Sequence, residues 1–314
     1  MPESKAKLKP ELGGQAVIEG VMMRSPEKLS VAVRRKNGKI LLKSENFTSL
    51  TKKNKFFNLP FIRGGVVLLE SLYLGVKTLS WSSKVAVSDE KNEENKLQNN
   101  KKEFLSNITI WFTVFLGLAG GILLFFYLPL ILTDLTGLKS GFYYNLVDSL
   151  IRIFIFMTYL LIISNWKEIQ KIFQYHGAEH KSIYAYENGN KLTVENALKY
   201  TTHHPRCGTS FIVVVIIVGF FIFTSLGRPD NISEKIIRLI FIPVIGGISY
   251  ELIKIADKNK NNKILRTISL PGLWLQKITT KEPDESQLKV GLVALRSSLG
   301  ENLNNEPDVD ILNS

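Results

Sequence analysis

The sequence predicts a mostly α-helical, polytopic membrane protein with about four transmembrane helices, interfacial helices and a small N-terminal β-hairpin. Two observations indicate this class. The apolar fraction of 45% is ordinary for a soluble domain, but most of the long apolar runs are confined to the stretch between Ile108 and Ile255. Four of these runs are about as long as the roughly 20 residues that a helix needs to cross a bilayer. They lie at residues 108–132, 142–164, 208–227 and 236–256.

The N-terminal region, residues 1–87, is expected to lie in the cytoplasm and at the membrane interface. Residues 29–45 alternate apolar and polar side chains around Asn37-Gly38, which predicts a β-hairpin. The preceding GGQAVIEGVMMRSP, residues 13–26, is expected to be a packed loop rather than a helix or a strand. Residues 60–87 have helical periodicity but are interrupted by charged residues, so we expect an amphipathic helix that lies in the interface or dips into it.

The membrane domain, residues 104–257, follows a polar linker at residues 88–103 and contains a long loop between its second and third spans. This loop, residues 165–207, is rich in lysine, as are both termini, whereas the other loops between spans carry few basic residues. The first fifteen residues contain no apolar signal segment. The positive-inside rule therefore predicts a multi-pass protein of the cell membrane, with the long loop and both termini in the cytoplasm.

The net charge of +12 is compatible with two kinds of acidic partner. Basic segments beside membrane spans bind anionic lipid, whereas nucleic-acid binding would favour a basic helix with interleaved aromatic residues, and the sequence contains none. We therefore expect the lipid bilayer as a partner and no nucleic acid. The sequence gives no indication of the oligomeric state.

The C-terminal segment, residues 258–314, is expected to be cytoplasmic. LPGLWLQKITT, residues 270–280, is typical of an interfacial segment anchored by Trp274. Residues 282–300 predict an amphipathic helix, with Pro283 in its first turn and Gly300 at its end. Its apolar face would consist of leucines at Leu288, Leu292, Leu295 and Leu299.

The stretch QYHGAEHKSIYAYENG, residues 174–189, contains two of the four histidines of the chain. We expect the helix of the second span to continue past Ser164 to at least His180, because few helix breakers intervene. Histidines four residues apart then project from the same helix face, as two ligands of one metal ion require. Glu179 borders that face, and H-x-x-E-H is the inverted zinc-protease motif, in which the glutamate serves as general base.

The other two histidines lie in the same cytoplasmic loop, directly before the third span, together with the single cysteine. Glu251, near the cytoplasmic end of the fourth span, would reach the same membrane boundary. We therefore predict a zinc site with ligands His176, His180, His204 and Glu251, with Glu179 as catalytic base and Cys207 as a possible additional ligand. In the alternative, the histidines contact water or headgroups, Cys207 is a small buried residue, and Glu251 pairs with Lys254 or Arg206.

Two charged residues of the segment at residues 13–26 are further candidates. Glu19 could supply a metal ligand, and Arg24 could bind an anionic group of a substrate through its bidentate guanidinium. The alternative is structural: the segment packs against the spans, and Arg24 pairs with Glu70 or Glu19. Of the two, the sequence favours the structural alternative.

Two functions are compatible with these residues. The first is a membrane-bound, zinc-dependent hydrolase, possibly peptidase-like, that acts at the cytoplasmic membrane interface on a membrane-embedded peptide or lipid-like substrate. The alternative is a non-catalytic assembly or scaffold protein with structural histidines. A transporter is disfavoured, because the spans lack paired broken helices and a charge cluster at mid-membrane.

Five sequence motifs occur in this order along the chain: GGQAVIEGVMMR, HGAEHK, HPRCGTSF, ISYELIK and PGLWLQKITTKEPDESQL. Together they resemble the motifs of the bacterial YqhQ-like family. This is a family of unknown function whose members are described as polytopic membrane proteins and predicted metal-dependent enzymes. The similarity extends from about Gly13 to Leu299. It implies that His204 rather than His203 belongs to the family pattern, and it leaves the linker at residues 88–103 outside the motifs.

Overall fold

The computed structural model describes residues 12–88, 112–205, 207–258 and 263–312. Both ends of this chain meet in one five-stranded sheet of order β1-β2-β3-β4-β5, in which the first three pairings are antiparallel and the last is parallel. The strands are β1 (Gly13–Val17), β2 (Gly20–Arg24), β3 (Lys28–Arg34), β4 (Ile40–Asn46) and β5 (Val309–Leu312). The C-terminal strand thus completes a sheet that the N-terminal region begins.

The hairpin predicted around Asn37-Gly38 is confirmed as β3 and β4, with Gly38 at a φ of 85° in the turn. The prediction of a packed loop at residues 13–26 is wrong, because β1 and β2 form a second hairpin there. Glu19 lies in its two-residue turn at a φ of 53°. Four of the five residues of β2 are buried. A strand that is covered on both faces shows no apolar–polar alternation, and the signal was missing for this reason.

Eleven α-helices are described, and a short 3₁₀ turn lies at Phe56–Asn58. They are α1 (Leu50–Lys53), α2 (Ile62–Ser88), α3 (Phe112–Asp134, with a π turn at Leu123–Tyr127), α4 (Gly141–Ile163), α5 (Lys167–Glu187), α6 (Val194–Leu198), α7 (Gly208–Ser225), α8 (Ile232–Ile240), α9 (Ile242–Lys258), α10 (Lys263–Thr279) and α11 (Glu285–Ser298). The linker at residues 88–103 lies, beyond its first residue, outside the described part.

Three of the described helical segments are long and apolar enough to cross a membrane, namely Phe112–Asp134, Gly141–Ile163 and Ile232–Ala256. The first, second and fourth predicted spans correspond to them, and residues 108–111 lie outside the described part. The third forms α7, whose described apolar part is shorter than a span. It ends at Ser225 because Gly227 adopts a φ of 79°, which terminates a helix.

The predicted continuation of the second span past Ser164 is wrong. Helix α4 ends at Ile163, and α5 begins only after Trp166, whose backbone is extended. The side chains of Ser164 and Asn165 both donate to the carbonyl of Leu161, at 2.9 and 2.6 Å. Short polar side chains that bond the backbone in this way compete with helix propagation. The motif histidines therefore lie on a separate helix, α5.

Helix α11 is the centre of the hydrophobic core that the sheet and α5 enclose. Ten of its 14 residues are buried, because the sheet covers one side and α5 the other. Its start differs slightly from expectation: Asp284 is the N-cap in a capping box with Gln287, so Pro283 precedes the helix. The predicted one-sided leucine face is thus only part of a surface that is buried on nearly all sides. The N-terminal and C-terminal regions form one packed unit that supports α5.

Helix α2 covers the opposite face of the sheet, where Leu74 and Val85 pack against Val17 and Leu29. Three of the four charged residues of α2 form ion pairs within the protein: Arg63 with Glu251, Glu70 with Arg24, and Lys77 with Glu45. Its outer face exposes large apolar side chains, among them Leu69 and Tyr73. In α10, Trp274 is exposed as well.

Candidate metal centre

Helix α5 carries His176, Glu179 and His180, and all three side chains line one cavity. The two imidazole rings lie 4.4 Å apart between centroids, so the expectation that both project from one helix face is confirmed. The helix forms here because residues 167–187 contain no proline, and its one glycine, Gly177, lies where the backbone of Lys281 crosses the helix. A Cβ on Gly177 would lie 2.1 Å from the Lys281 carbonyl oxygen.

Both histidines are oriented by the backbone of neighbouring segments. Nδ1 of His176 lies 2.8 Å from the carbonyl oxygen of Thr279, and Nδ1 of His180 contacts the carbonyl oxygen of Thr202. A carbonyl oxygen can only accept a hydrogen bond, so each Nδ1 carries the proton and donates it. Nε2 of each neutral ring then keeps its lone pair, which is the arrangement that histidine ligands of metals adopt.

Cys207 completes a group of three side chains with metal-binding atoms. Its Sγ lies 3.1 Å from Nε2 of His176, it hydrogen-bonds with His180, and the three atoms lie within 4.8 Å of one another. Around a tetrahedral zinc ion with Zn–N near 2.0 Å and Zn–S near 2.3 Å, two nitrogen ligands and one sulfur ligand lie about 3.3–3.5 Å apart. The observed separations bracket that range, so small side-chain movements would satisfy it.

The position of Cys207 favours the thiolate form. Burial raises the pKa of the thiol, whereas the contacts with His180 and with the hydroxyl and backbone N–H of Thr209 lower it, and the net pKa lies below its ordinary value. Cys207 is also the N-cap of α7, where the helix dipole stabilises negative charge. Desolvation lowers the pKa of His180, which favours the neutral ring. Both effects favour the protonation states that bind metal.

Glu179 is buried beside this group. Desolvation raises the pKa of its carboxyl to about 8, and the electrostatic effect of the neighbouring His176 opposes the increase only in part. Its side chain lies directly over β1: a Cβ added to Gly14 would be 2.7 Å from Cγ, Cδ and Oε1 of Glu179. The glycine therefore makes room for the carboxyl, which faces a cavity of about 390 Å³.

The cavity has walls from three elements. Residues 12–16 with strand β1 form one side, α5 forms the second, and the start of α7 with the preceding loop forms the third. Most of its lining is apolar, and its polar groups converge at one place, as in many small-molecule sites. The side chains that carry chemistry are His176, Glu179, His180, His204 and Cys207.

His204 lines the cavity but is not part of the three-residue group. Its ring lies 5.7 Å from that of His180 and 4.5 Å from that of Tyr184, and its Nε2 is 3.3 Å from Glu187. Its backbone N–H and carbonyl both bond the side-chain amide of Gln276. These contacts place His204 next to the group, on the side of Glu187.

The remaining candidates lie elsewhere. Glu251, predicted as a ligand, is engaged by Arg63 through both carboxylate oxygens, and it is neither in the three-residue group nor in the cavity wall. The alternative partner Arg206 lies outside the described residues. The expectation that Glu251 converges with the histidines therefore fails, because the nearer cation is Arg63.

Arg24 and Glu19 take the structural roles that were the alternative. Arg24 pairs with Glu70 at 3.4 Å and stacks over Phe47. Glu19 pairs with Lys171 at 2.8 Å and also contacts the hydroxyl of Tyr175. Both pairs join the first hairpin to a helix, α2 in one case and α5 in the other.

Sequence reasoning gave Cys207 only as a possible additional ligand, whereas the structure places it in the central group and leaves its sequence neighbour His204 outside. Two other parts of the site were missed. The carbonyls of Thr279 and Thr202 carry no sequence signal, because every residue has a carbonyl. Gly14 did have one: paired glycines at the start of a segment indicate close approach of another group to the backbone.

Comparison with known proteins identifies related sequences. Residues 59–301 match the family described as "Protein of unknown function (DUF1385)". The chain is 34% identical over 313 residues to the uncharacterized protein YqhQ of Bacillus subtilis (strain 168), and the alignment covers 94% of each chain. No solved structure matches. The family match covers most of the chain, and the relative aligns nearly end to end, so this protein belongs to the DUF1385 family, as the motifs indicated.

Proposed function

We propose that the protein is a membrane-bound, zinc-dependent hydrolase whose site is formed by His176, His180, Cys207 and Glu179. One observation carries the proposal: both histidines direct Nδ1 to backbone carbonyls, which leaves Nε2 of each ring for Cys207 and a shared ion. Oriented histidines with a fixed tautomer are typical of metal ligands. Catalytic zinc sites have three protein ligands and one position open to water or substrate, whereas structural zinc sites have four protein ligands. Three ligand side chains beside a cavity therefore favour a catalytic site.

The chemistry follows from the residues around this group. Bound zinc would supply Lewis-acid activation of water and of a substrate carbonyl. Glu179 accepts the proton of the attacking water and passes it to the leaving group, so that water adds across the cleaved bond. The raised pKa of its carboxyl, about 8, is that of a group suited to exchange protons near neutral pH.

The proposed location is the cytoplasmic face of the cell membrane. The three span-length helical segments support a polytopic protein, and α7, whose first residues line the cavity, would enter the membrane from there. The abundance of lysine in residues 165–207 and at both termini supports a cytoplasmic site. The partners are bilayer lipid and a membrane-embedded or interfacial substrate, and we propose no role in nucleic-acid binding.

Three variants test this function on purified full-length protein. His180→Ala removes a ligand and should lose most of the bound zinc, measured by elemental analysis. Glu179→Gln should retain zinc, because the amide has nearly the same size and the carboxyl is not a ligand, yet fail to complement a deletion strain. His203→Ala is the matched control, since His203 is outside the group and should change neither property.

Other results would contradict the proposal in distinct ways. If the wild-type protein binds no metal, and all three variants complement, the histidines are structural and the scaffold function is correct. If Glu179→Gln loses zinc as readily as His180→Ala, Glu179 is itself a ligand, and the base must be another residue. Copper in place of zinc would indicate electron transfer, because two histidines and one cysteine also form copper sites.

A further inference from the structure

We infer that β1 is the substrate-binding strand of this site, and that the substrate is an extended, apolar peptide segment that pairs with β1 as an additional strand. The inference rests on the proposed hydrolase function and gives it a substrate class. It selects peptide over the lipid-like alternative, because pairing with a strand needs backbone N–H and C=O groups.

The edge of β1 is available for such pairing. Strand β1 is the first strand of the sheet and pairs only with β2 within the described chain. The carbonyl of Glu19 accepts a hydrogen bond from the N–H of Arg34, so the odd-numbered residues of β2 bond β3 and the even-numbered ones bond β1. By the observed register, Gly13, Gln15 and Val17 are then the residues of β1 that bond β2.

The N–H and C=O groups of Gly14 and Ala16 consequently point away from the sheet. In the part of the chain that the structure describes, neither residue makes a further hydrogen bond. The next outward N–H, that of Ile18, already donates to Ser82 of α2 at 3.2 Å, which closes the edge at that end. The backbone groups of two residues, Gly14 and Ala16, are therefore available to pair with another strand. Both residues line the cavity.

The open edge of β1 lies beside the side chains proposed to carry out hydrolysis. The carboxyl of Glu179 lies over Gly14, within 2.7 Å of where a Cβ would be. A peptide bond paired with the outward groups of Gly14 is thus brought beside the base and the His176–Cys207 contact. Any side chain at position 14 would displace the base, so glycine is required for the same residue to hold both the substrate backbone and Glu179.

The walls indicate which peptides fit. Ile172, Phe173 and Ile183 of α5 and Ile212 of α7 surround the edge, so a substrate that buries apolar side chains gains the most. The cavity also borders the first turn of α7, an apolar helix. A segment that leaves a membrane helix in extended conformation meets both requirements. A helical segment does not, because its backbone groups already bond each other.

The test uses zinc-loaded, full-length protein in detergent micelles and a library of internally quenched, apolar decapeptides. The best-cleaved peptide is then resynthesised with one N-methylated amide at a time. A peptide that adds as a strand hydrogen-bonds through every second residue, so N-methylation should lower kcat/KM at alternate positions by about tenfold or more and leave the positions between them nearly unchanged. This measurement needs no protein variant.

Two substitutions at one position provide the reciprocal test. Ala16→Pro removes the outward N–H while leaving the β1–β2 bonds in place, as proline at a sheet edge does, and should lower kcat/KM about tenfold without loss of zinc. Ala16→Ser keeps the N–H, so its kcat/KM should stay well above that of Ala16→Pro. Size-exclusion chromatography and thermal melting establish that both variants are folded.

The outcomes separate the two proposals. Zinc binding with hydrolysis of ester substrates, but of no peptide in the library, overturns the inference and leaves the hydrolase intact. Peptide cleavage with no alternation in the N-methyl scan, and with Ala16→Pro as active as Ala16→Ser, overturns strand pairing alone. Failure of the wild-type protein to bind zinc overturns the hydrolase proposal and the inference with it.

Discussion

Gly177→Ala should damage the site without changing any of its functional side chains. Gly177 lies one residue after His176, where the backbone of Lys281 crosses α5. A Cβ at this position would be 2.1 Å from the Lys281 carbonyl oxygen and 3.1 Å from Cγ2 of Thr202. The Lys281 N–H donates to the carbonyl of Phe173 at 2.9 Å, so the crossing segment is held against the helix and cannot move away freely.

The expected cost can be estimated from these contacts. Overpacking in a well-packed region costs about 1–3 kcal/mol, and loss of the backbone hydrogen bond adds about 1 kcal/mol. Alanine regains roughly 0.5–1 kcal/mol over glycine inside a helix. The free energy of unfolding should therefore fall by about 2 kcal/mol, or about 4–8 °C in Tm for a domain of 150–250 residues.

The same shift should weaken zinc binding. Thr279, two residues before Lys281, accepts the hydrogen bond from Nδ1 of His176. Displacing this segment disturbs the orientation of the ligand, and loss of such a partner typically reduces metal affinity by 10–100-fold. Zinc affinity would be measured by competition with a chelating dye, and Tm by intrinsic fluorescence.

Gly65→Ala is the matched control, because Gly65 is also inside a helix and a Cβ there meets no atom within 4 Å. It should leave Tm unchanged or slightly higher and should not alter zinc affinity. If Gly177→Ala behaves like Gly65→Ala in both assays, the crossing segment does not position His176, and the orientation argument fails.

Two further predictions concern the placement of the site. Glu251→Gln should weaken the contact with Arg63 and lower Tm by a few degrees, yet leave the zinc content unchanged by elemental analysis; a loss of zinc would make Glu251 a ligand after all. Asn190→Cys, in the loop that follows α5, should remain unlabelled by a membrane-impermeant maleimide applied to intact cells and react after lysis, because we propose that residues 165–207 lie in the cytoplasm. Labelling from outside would invert the proposed topology.

The sequence alone was sufficient for features that depend on neighbouring residues. The apolar runs indicated the span-length helices because length and hydropathy are local properties. Asn37-Gly38 predicted its hairpin because the turn conformation depends on those two residues. The common face of His176 and His180 follows from the 3.6-residue period of any helix, and it holds although the predicted continuous helix is interrupted before Lys167.

Contacts between distant segments decided the rest, and no local pattern encodes them. Both faces of β2 are covered by helices from elsewhere in the chain. Its sequence therefore shows no alternation of apolar and polar residues, and this alternation is the signal from which a strand is predicted. Glu251 was expected at the metal, but Arg63, 188 residues away, takes its carboxylate. Cys207 reaches the two histidines because the loop before α7 folds back against α5. A carboxylate or a thiol can serve several partners, and its choice depends on which partner packing brings within hydrogen-bonding distance.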